Sequence, residues 1–471
     1  MNAPVSMLPA QRIDAAGKPH VQLRQVFRLA APLMITNAVQ ALLNLTDLWF
    51  IGRLSTDAVA AMGAIYWIMT CAILLFGGVG LAVQTFVAQA YGSRRGAHAS
   101  RALWNALWAS VALVPLFLGL AWAGPLLLHP FGLDPHIESL ALEYWGPRMG
   151  GAFIGSMGWA AMGFFNGISA VRFTMAVVVV TTVANAILNQ LFIFELGMGM
   201  KGSAWGTNVA QIIGVTLAMV LFLGGEVGRR YRSRIMWRPR WPVIRAQLLV
   251  GLPIGVMYGA DVLGLALSQM MIAQTSATGA AATQIVMALT SMAYMPTIGI
   301  ALAGTTLVGQ SIGAGDRDWA NRMGNVIIAM CAALMAIVAV LLLVVGPWLL
   351  PLFVSSGGPA ASDVVALGLV LLWPAAAYQI FDGLYCGSSF CLRGAGDTQV
   401  PAATALCLSW FLFVPLAHTL IFAPGEGWID GLPQYGLGAR GGWLALMIYC
   451  TLLGCSMFWR WRHGAWRRVK L

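Results

Sequence analysis

Long apolar runs separated by short polar stretches fill the chain from residue 27 to residue 461. The runs lack the period-two alternation of barrel strands, so the pattern predicts helices. Crossing about 30 Å of hydrocarbon takes ~20 helical residues. Twelve runs reach that length: 27–51, 58–88, 102–128, 140–168, 174–196, 203–224, 247–275, 280–310, 321–353, 363–391, 399–423 and 441–461. Several are longer than a straight crossing requires, which implies tilt or extension into water. Composition agrees: 59% of residues are hydrophobic and 9% charged, against about 25% charged in a soluble domain. An integral membrane protein is the only class that fits. The first 24 residues hold no apolar core of signal-peptide length, so no cleaved signal is expected.

The net charge of +11 would suit nucleic acid, but the placement of the charges gives another reading. An even number of spans puts both ends of the chain on one face. That face collects Arg12, Lys18, Arg24 and Arg28, then Arg94, Arg95, Arg101 and Arg172. It also takes the seven arginines of 225–246, then Arg317, Arg322, Arg393, and the tail residues Arg460, Arg462, Arg467, Arg468 and Lys470, for 23 of the 27 Lys and Arg. Arg53, Lys201 and Arg440 go to the other face, and Arg148 lies inside the fourth run near its outer end. The positive-inside rule makes the crowded face cytoplasmic, with lipid headgroups as the neighbours of the charge.

The basic stretch 225–246 divides the chain into halves of six spans, and the halves repeat. At an offset of 221, Pro32 matches Pro253, Gly78 matches Gly299, Gln89 matches Gln310, Gly92 matches Gly313 and Arg101 matches Arg322. Gly124-Pro125 matches Gly346-Pro347, and Pro147 matches Pro374, after small insertions. Each half has an even number of spans, so both enter the membrane in the same sense. The expectation is an all-α polytopic protein of two six-helix lobes related by a pseudo-two-fold axis along the membrane normal. The predicted organisation is a cytoplasmic segment 1–26, lobes 27–224 and 247–461, a basic linker 225–246 and a basic tail 462–471. Substrate sites in such proteins lie between the halves near the midplane.

Three acids sit well inside spans: Asp47, Asp261 and Asp382. A carboxylate in hydrocarbon costs roughly 3 kcal/mol or more, so it faces a wet cavity, a partner or a cation. Asp382 lies eleven residues before Arg393, placed at the cytoplasmic exit; that is about 16 Å of helix, half a bilayer. Asn37, Gln40, Asn44 and Asp47 fall at spacings of three and four and share one helical face. Thr182, Asn185 and Asn189 do the same in the fifth span, and Thr207 adds a hydroxyl from the sixth. Such a stripe is either helix–helix glue or the lining of a water-filled cavity; the ionisable acid favours the cavity. Oxygen donors of this kind suit sodium, whereas a proton needs only the carboxylate. In the second half Tyr378, Asp382 and Tyr385 share a face, an arrangement for an organic or alkali cation or simply for packing. Met257, Met270 and Met271 are candidates for a deformable cavity wall. Glu143 and Arg148 are placed to pair.

Other chemistry is weakly represented. All seven cysteines lie in apolar runs without metal-ligand spacing to histidine, and read as free thiols packed as small hydrophobes. The histidines fall mostly in loops or termini. No phosphate-cradling GxxxxGK[ST] occurs, and no hydrolytic triad or redox-cofactor motif stands out, so an enzyme is not expected and no cofactor is implied.

Four segments carry a family resemblance over about 25–460: PLMITNAVQALLNLTDLWFIGRLS, GLPIGVMYGAD, VGQSIGAGD and DGLYCGSSFCLRGAGDT. In order, they resemble the first, seventh, eighth and tenth helices of the multidrug and toxic compound extrusion family. The resemblance implies a two-lobed antiporter in a bacterial-type inner membrane that exports organic cations in exchange for Na+ or H+. The chain is more similar to the NorM-type branch, which has acids matching Asp47, Asp261 and Asp382 and asparagines matching Asn185 and Asn189. The DinF-type branch has aspartate where Asn189 stands. One departure is Asp261, where the NorM-type branch usually has glutamate. A carboxylate ~1.5 Å shorter in reach changes ligand geometry and hence ion preference. Together with Thr207 and Tyr378 from the polar and aromatic pattern, the residues matched by the resemblance are expected to form a first-lobe site at Asp47, Asn185, Asn189 and Thr207, and a second-lobe site at Asp261, Asp382 and Tyr378. Asn37, Gln40, Asn44, Met257 and Tyr385 are expected nearby. Sodium, if it is the ion, would sit at Asp261 and Asp382 or at Asp47, Asn185 and Asn189. The partners expected are small organic cations and lipid, not nucleic acid, and the protein is expected to be a monomer. The rival expectation is a flippase for a lipid-linked oligosaccharide, which would need several basic residues in its groove.

Overall fold

The computed structural model describes residues 8–13, 19–132, 134–353, 359–429 and 431–469. Lys18 and Lys470 lie outside the described residues. Twelve membrane helices are present: α1 (Leu23–Gly52), α2 (Thr56–Gly92), α3 (Gly96–Trp122), α4 (Pro135–Gly150 continued by Ala152–Gly167), α5 (Val171–Glu195) and α6 (Gly199–Leu223) in the first lobe. The second lobe holds α7 (Trp241–Thr275), α8 (Ala277–Gly313), α9 (Arg317–Leu349), α10 (Pro359–Ala395), α11 (Gln399–Ile421) and α12 (Ala439–His463). Among the described residues, eleven of them hold a stretch long and apolar enough to cross a membrane. The exception, α4, is broken by Gly151 into two segments of 16 residues and carries Glu138, Glu143 and Arg148. Exposed Ile337, Val340, Leu341 and Val344 along α9 present the outer surface that lipid requires.

The linker is shorter than the sequence suggests. Residues 241–246 already belong to α7, whose first turn takes Pro242 where a missing N–H costs nothing. Residues 225–230 form a short helix. Ahead of α1, β1 (Gln11–Ile13) and β2 (Pro19–Val21) pair as an antiparallel hairpin. It sits on the other lobe: the Trp319 indole donates to the Pro9 carbonyl at 3.0 Å and Arg322 to the Pro19 carbonyl at 3.3 Å.

The sequence repeat has a structural cause. Ser55 and Ser276, 221 residues apart, are the N-caps of α2 and α8; their hydroxyls accept from Ala58 N–H at 3.0 Å and Gly279 N–H at 3.1 Å. Helix α1 packs on α8, α7 packs on α2, and α2 packs on α8, which is the set of contacts a two-fold axis between α2 and α8 would generate. The matched glycines mark the crossing. A Cβ on Gly92 would lie 2.0 Å from the Gln310 carbonyl oxygen, and one on Gly313 would lie 2.1 Å from that of Gln89. A Cβ on Gly78 would meet the backbone of Gly251 and Gly255, and one on Gly299 the backbone of Met34. Only glycine permits these backbone-to-backbone approaches.

Matched polar residues then latch the lobes near the chain-termini face. The Gln89 amide donates to the Gly394 carbonyl at 3.1 Å, and Gln310 donates to the Gly167 carbonyl at 2.8 Å. Thr85 donates to the Arg393 carbonyl at 2.9 Å, and Thr306 to the Asn166 carbonyl at 3.1 Å. Each pair is one contact repeated by the axis. Gln84 adds bonds to Leu302 O and Thr306 Oγ1, both at 2.9 Å. Interhelical hydrogen bonds in membranes are worth about 0.6 kcal/mol on average and up to about 1.7. Gln89→Ala and Gln310→Ala are therefore expected to lower the thermal unfolding midpoint by similar small amounts. A large effect from one and none from the other would contradict the symmetric latch.

Candidate ion and substrate sites

Between the lobes lies a cavity of about 440 Å³. The polar stripe of α1 faces it: Asn37, Gln40, Asn44 and Asp47 all line it, with Thr207 from α6. The second lobe contributes Tyr258, Ile298, Leu302, Phe390 and Arg393. Asp47 is 7% exposed and closes the stripe. Asn189 Nδ2 donates to Asp47 Oδ1 at 2.6 Å, and Thr207 Oγ1 donates to Oδ2 at 3.2 Å. Asn185 Nδ2 reaches Thr207 Oγ1 at 3.2 Å, and Asn189 Nδ2 reaches Asn185 Oδ1 at 3.4 Å. Asn185 and Asn189 are fully buried behind the carboxylate and do not line the cavity.

Local structure sets this geometry. Helix α5 widens into a π-type turn at Gln190–Glu195, directly after Asn189; such turns often mark functional sites. Among the described residues Asn189 Oδ1 is buried without a hydrogen-bond partner, and a Cβ on Gly206 would lie 2.4 Å from it. Gly206 thus makes room for the amide, a role without any sequence signal. Carboxylate, amide and hydroxyl oxygens converge here, the donor set a hard cation takes. Asn189→Ala removes a charge-assisted hydrogen bond to Asp47, worth about 1.5–3 kcal/mol. Transport is expected to fall about 10- to 100-fold with unchanged expression, read as initial uptake rate; an unchanged rate would reduce Asn189 to helix packing.

The second lobe holds Asp261 on α7. Tyr385 Oη donates to Asp261 Oδ2 at 3.0 Å, and Tyr449 Oη donates to Oδ1. Tyr385, which shares a helical face with Asp382, is turned by α10 towards α7. Tyr449 of α12, not expected from the sequence, supplies the second phenol; its ring stacks on Phe413 at 5.0 Å. Phe413 ends the π-type turn Ser409–Phe413 of α11, the counterpart of the one in α5, and Ser409 Oγ donates to the Ala260 carbonyl at 3.1 Å. Asp382 lies on α10 one helical turn before Tyr385, the phenol that bonds Asp261. Among the described residues it has no hydrogen-bond or ion-pair partner. Tyr378 bonds neither carboxylate; its ring tilts against Trp443 at 6.1 Å.

Several other expectations change. Asp261 and Asp382 do not line the cavity between the lobes. Neither does Met257, which is buried and accepts from Ser389 Oγ at 3.8 Å; Met271 is buried too, and Met270 is exposed. Glu143 and Arg148 do not pair among the described residues. Arg148 instead lines the cavity and donates to Asn208 Oδ1 at 3.3 Å. Arg393 is no surface charge at a helix exit: it is 5% exposed, lines the cavity and donates to the Leu81 carbonyl across the lobe boundary. Sequence position alone could not show that the chain folds over it.

The MatE family model matches residues 32–191 and 253–419. The chain belongs to the MatE family. The two matched segments begin at Pro32 and Pro253, one in each lobe. Two MatE relatives are the multidrug resistance protein NorM of Burkholderia vietnamiensis, 30% identical over 442 residues with 92% of each chain covered, and the probable NorM of Mesorhizobium japonicum, 28% identical with 93% of each covered. The chain is of the NorM type, a multi-pass membrane transporter and not an enzyme. Among solved structures, an outward-facing multidrug resistance MATE transporter matches with a TM-score of 0.80 over 94% of this chain and 96% of its own. A MOP superfamily transporter from Pyrococcus furiosus, described as having a binding pocket of reversed polarity, matches equally, also at 0.80, 94% and 96%. Both are 20% identical and share the fold.

Proposed function

We propose that this MatE protein is a secondary multidrug antiporter that exports organic cations in exchange for Na+ or H+. The observation that carries the reading is the pair Asp261 and Asp382. Two carboxylates lie in one lobe, Asp382 one helical turn before Tyr385, the phenol that bonds Asp261. Only phenols donate to Asp261, and no basic side chain pairs with either acid among the described residues. Carboxylates held this way inside a membrane protein call for a cation from outside. Asp47 with Asn185, Asn189 and Thr207 is the first-lobe counterpart, and it opens to the cavity where an organic cation would sit. The NorM names of the relatives support multidrug efflux, and the latched termini face supports an outward-facing state. Ion binding that favours this state displaces the drug outward, and its differential affinity for the two states gives direction. The charge distribution supports an inner-membrane location with both termini cytoplasmic.

The test is uptake of a fluorescent organic cation into proteoliposomes, under a sodium gradient alone and then under a pH gradient alone. Transport under one of them names the ion. A second reading has its own observation: Arg148 and Arg393 line the cavity, which suits an amphiphile carrying an anionic group, as a flippase requires. Transport of a lipid diphosphate, with no cation uptake under either gradient, would establish it instead.

A further inference from the structure

The linker is laid along α3 by five contacts, one of them between the buried Ser100 and Ser233 hydroxyls at 3.2 Å. The Trp104 indole donates to the Ser233 carbonyl and the Trp108 indole to the Trp237 carbonyl, both at 2.7 Å. The Arg240 N–H donates to Asn105 Oδ1 at 2.7 Å, and Arg101 Nη2 lies 3.2 Å from Met236 Sδ. Buried Gln247 extends the seam, its amide donating to the Ala102 carbonyl at 2.7 Å. This docking sets the Arg240 backbone against Asn105, one turn along α3 from Arg101, with His98 in the turn before and Arg95 at the start of the helix; His98 feels the charge of all three arginines, and Arg101 that of Arg240. None of them has a carboxylate partner among the described residues. Three guanidinium groups clustered without a carboxylate leave a positive patch that an anion would neutralise. Arginine forks match phosphate oxygens in pairs.

The surroundings specify the anion further. Ile235, Trp237 and Trp241 are exposed beside the cluster, at 69%, 47% and 67%. Tryptophans in such positions settle at the headgroup level of a bilayer. The cluster therefore faces lipid with apolar flanks that suit acyl chains, which a free phosphate does not need.

We propose that Arg101, Arg240 and Arg95 form a binding site for the phosphodiester of an anionic phospholipid, which bridges α3 to the linker. The bound lipid fastens the one covalent connection between the lobes to the first lobe, ahead of α7. The site is independent of what the transporter carries.

The experiment uses purified full-length protein in a neutral detergent, titrated with phosphatidylglycerol, phosphatidylcholine or inorganic phosphate. Retained lipid is read by native mass spectrometry and thermal unfolding. Phosphatidylglycerol is expected to bind and to raise the unfolding midpoint by several degrees, and phosphatidylcholine is not. Each arginine near an anionic headgroup is worth about 1 kcal/mol, so Arg101→Gln with Arg240→Gln is expected to weaken binding about 30-fold. If that variant does not fold, Arg95→Gln with Arg240→Gln, both exposed positions, is expected to do the same. Equal binding of the two lipids, or undiminished phosphatidylglycerol binding by the variant that folds, overturns the site. The same stabilisation by inorganic phosphate would make it a simple anion site and overturn the lipid assignment.

Discussion

Replacing Asp261 and Asp382 together by asparagine is expected to abolish ion-driven efflux while leaving the protein folded. Asparagine preserves shape, and one of Tyr385 and Tyr449 can still donate to its carbonyl oxygen while the other accepts from its amide. What disappears is the charge a coupling cation requires. Contacts to a charged group are worth about 1.5–3 kcal/mol each and two carboxylates are lost, so the uptake rate should fall by at least about 100-fold. Drug binding measured without a gradient should change much less, because the cavity is lined by Asp47 and not by these two carboxylates. That separation is the informative part. Loss of binding and of uptake to the same degree would mean that the second-lobe acids hold the drug itself. Normal uptake at normal expression would remove them from the mechanism altogether.

The second large effect concerns the α2–α8 crossing. Gly92→Leu and Gly313→Leu are each expected to reduce the amount of folded protein sharply and to lower the unfolding midpoint by similar amounts. A side chain at either position meets a backbone carbonyl at about 2 Å, and backbone cannot rotate away as a side chain can. The helices must separate by roughly 1 Å or more, which strains the Gln89–Gly394 and Gln310–Gly167 hydrogen bonds beside them. Overpacking of this kind costs about 1–3 kcal/mol or more. Gly63 and Gly119, with nothing within 4 Å of a Cβ, serve as controls in which alanine should be tolerated. Full stability of either leucine variant would show that the lobes do not close on one another at these glycines.

Much of the architecture is legible in the chain alone. Hydrophobic run length predicts twelve helices because a bilayer imposes one length on all of them. The duplication predicts two lobes, and its matched residues proved to be the ones that touch across the axis: Gly92 against Gln310, and Gly313 against Gln89. The capping pair Ser55 and Ser276 carries the same offset and is readable in the same way. The α1 stripe follows from helical periodicity, since residues three and four apart must share a face. Grouping Asn185, Asn189 and Thr207 with Asp47 drew on the family resemblance, for the asparagines lie 142 residues or nearly so from their carboxylate.

Tertiary structure decided the rest. Tyr385 sits three residues after Asp382 yet serves Asp261, 124 residues away, because the rotation of α10 against α7 sets its direction. Tyr449, 188 residues from Asp261, leaves no local trace. Arg393 reads as a helix-exit charge by hydropathy, but α2 crosses over it and makes it a wall of the cavity. Arg148 and Glu143 are five residues apart, a spacing that points them to different sides of a helix, and Asn208 takes the arginine instead. The sequence by itself determined how many helices cross, how they repeat and which faces are polar, since those follow from local periodicity and the thickness of the membrane. Which polar groups meet depended on helix rotation and crossing, and these are set only when all twelve helices pack together.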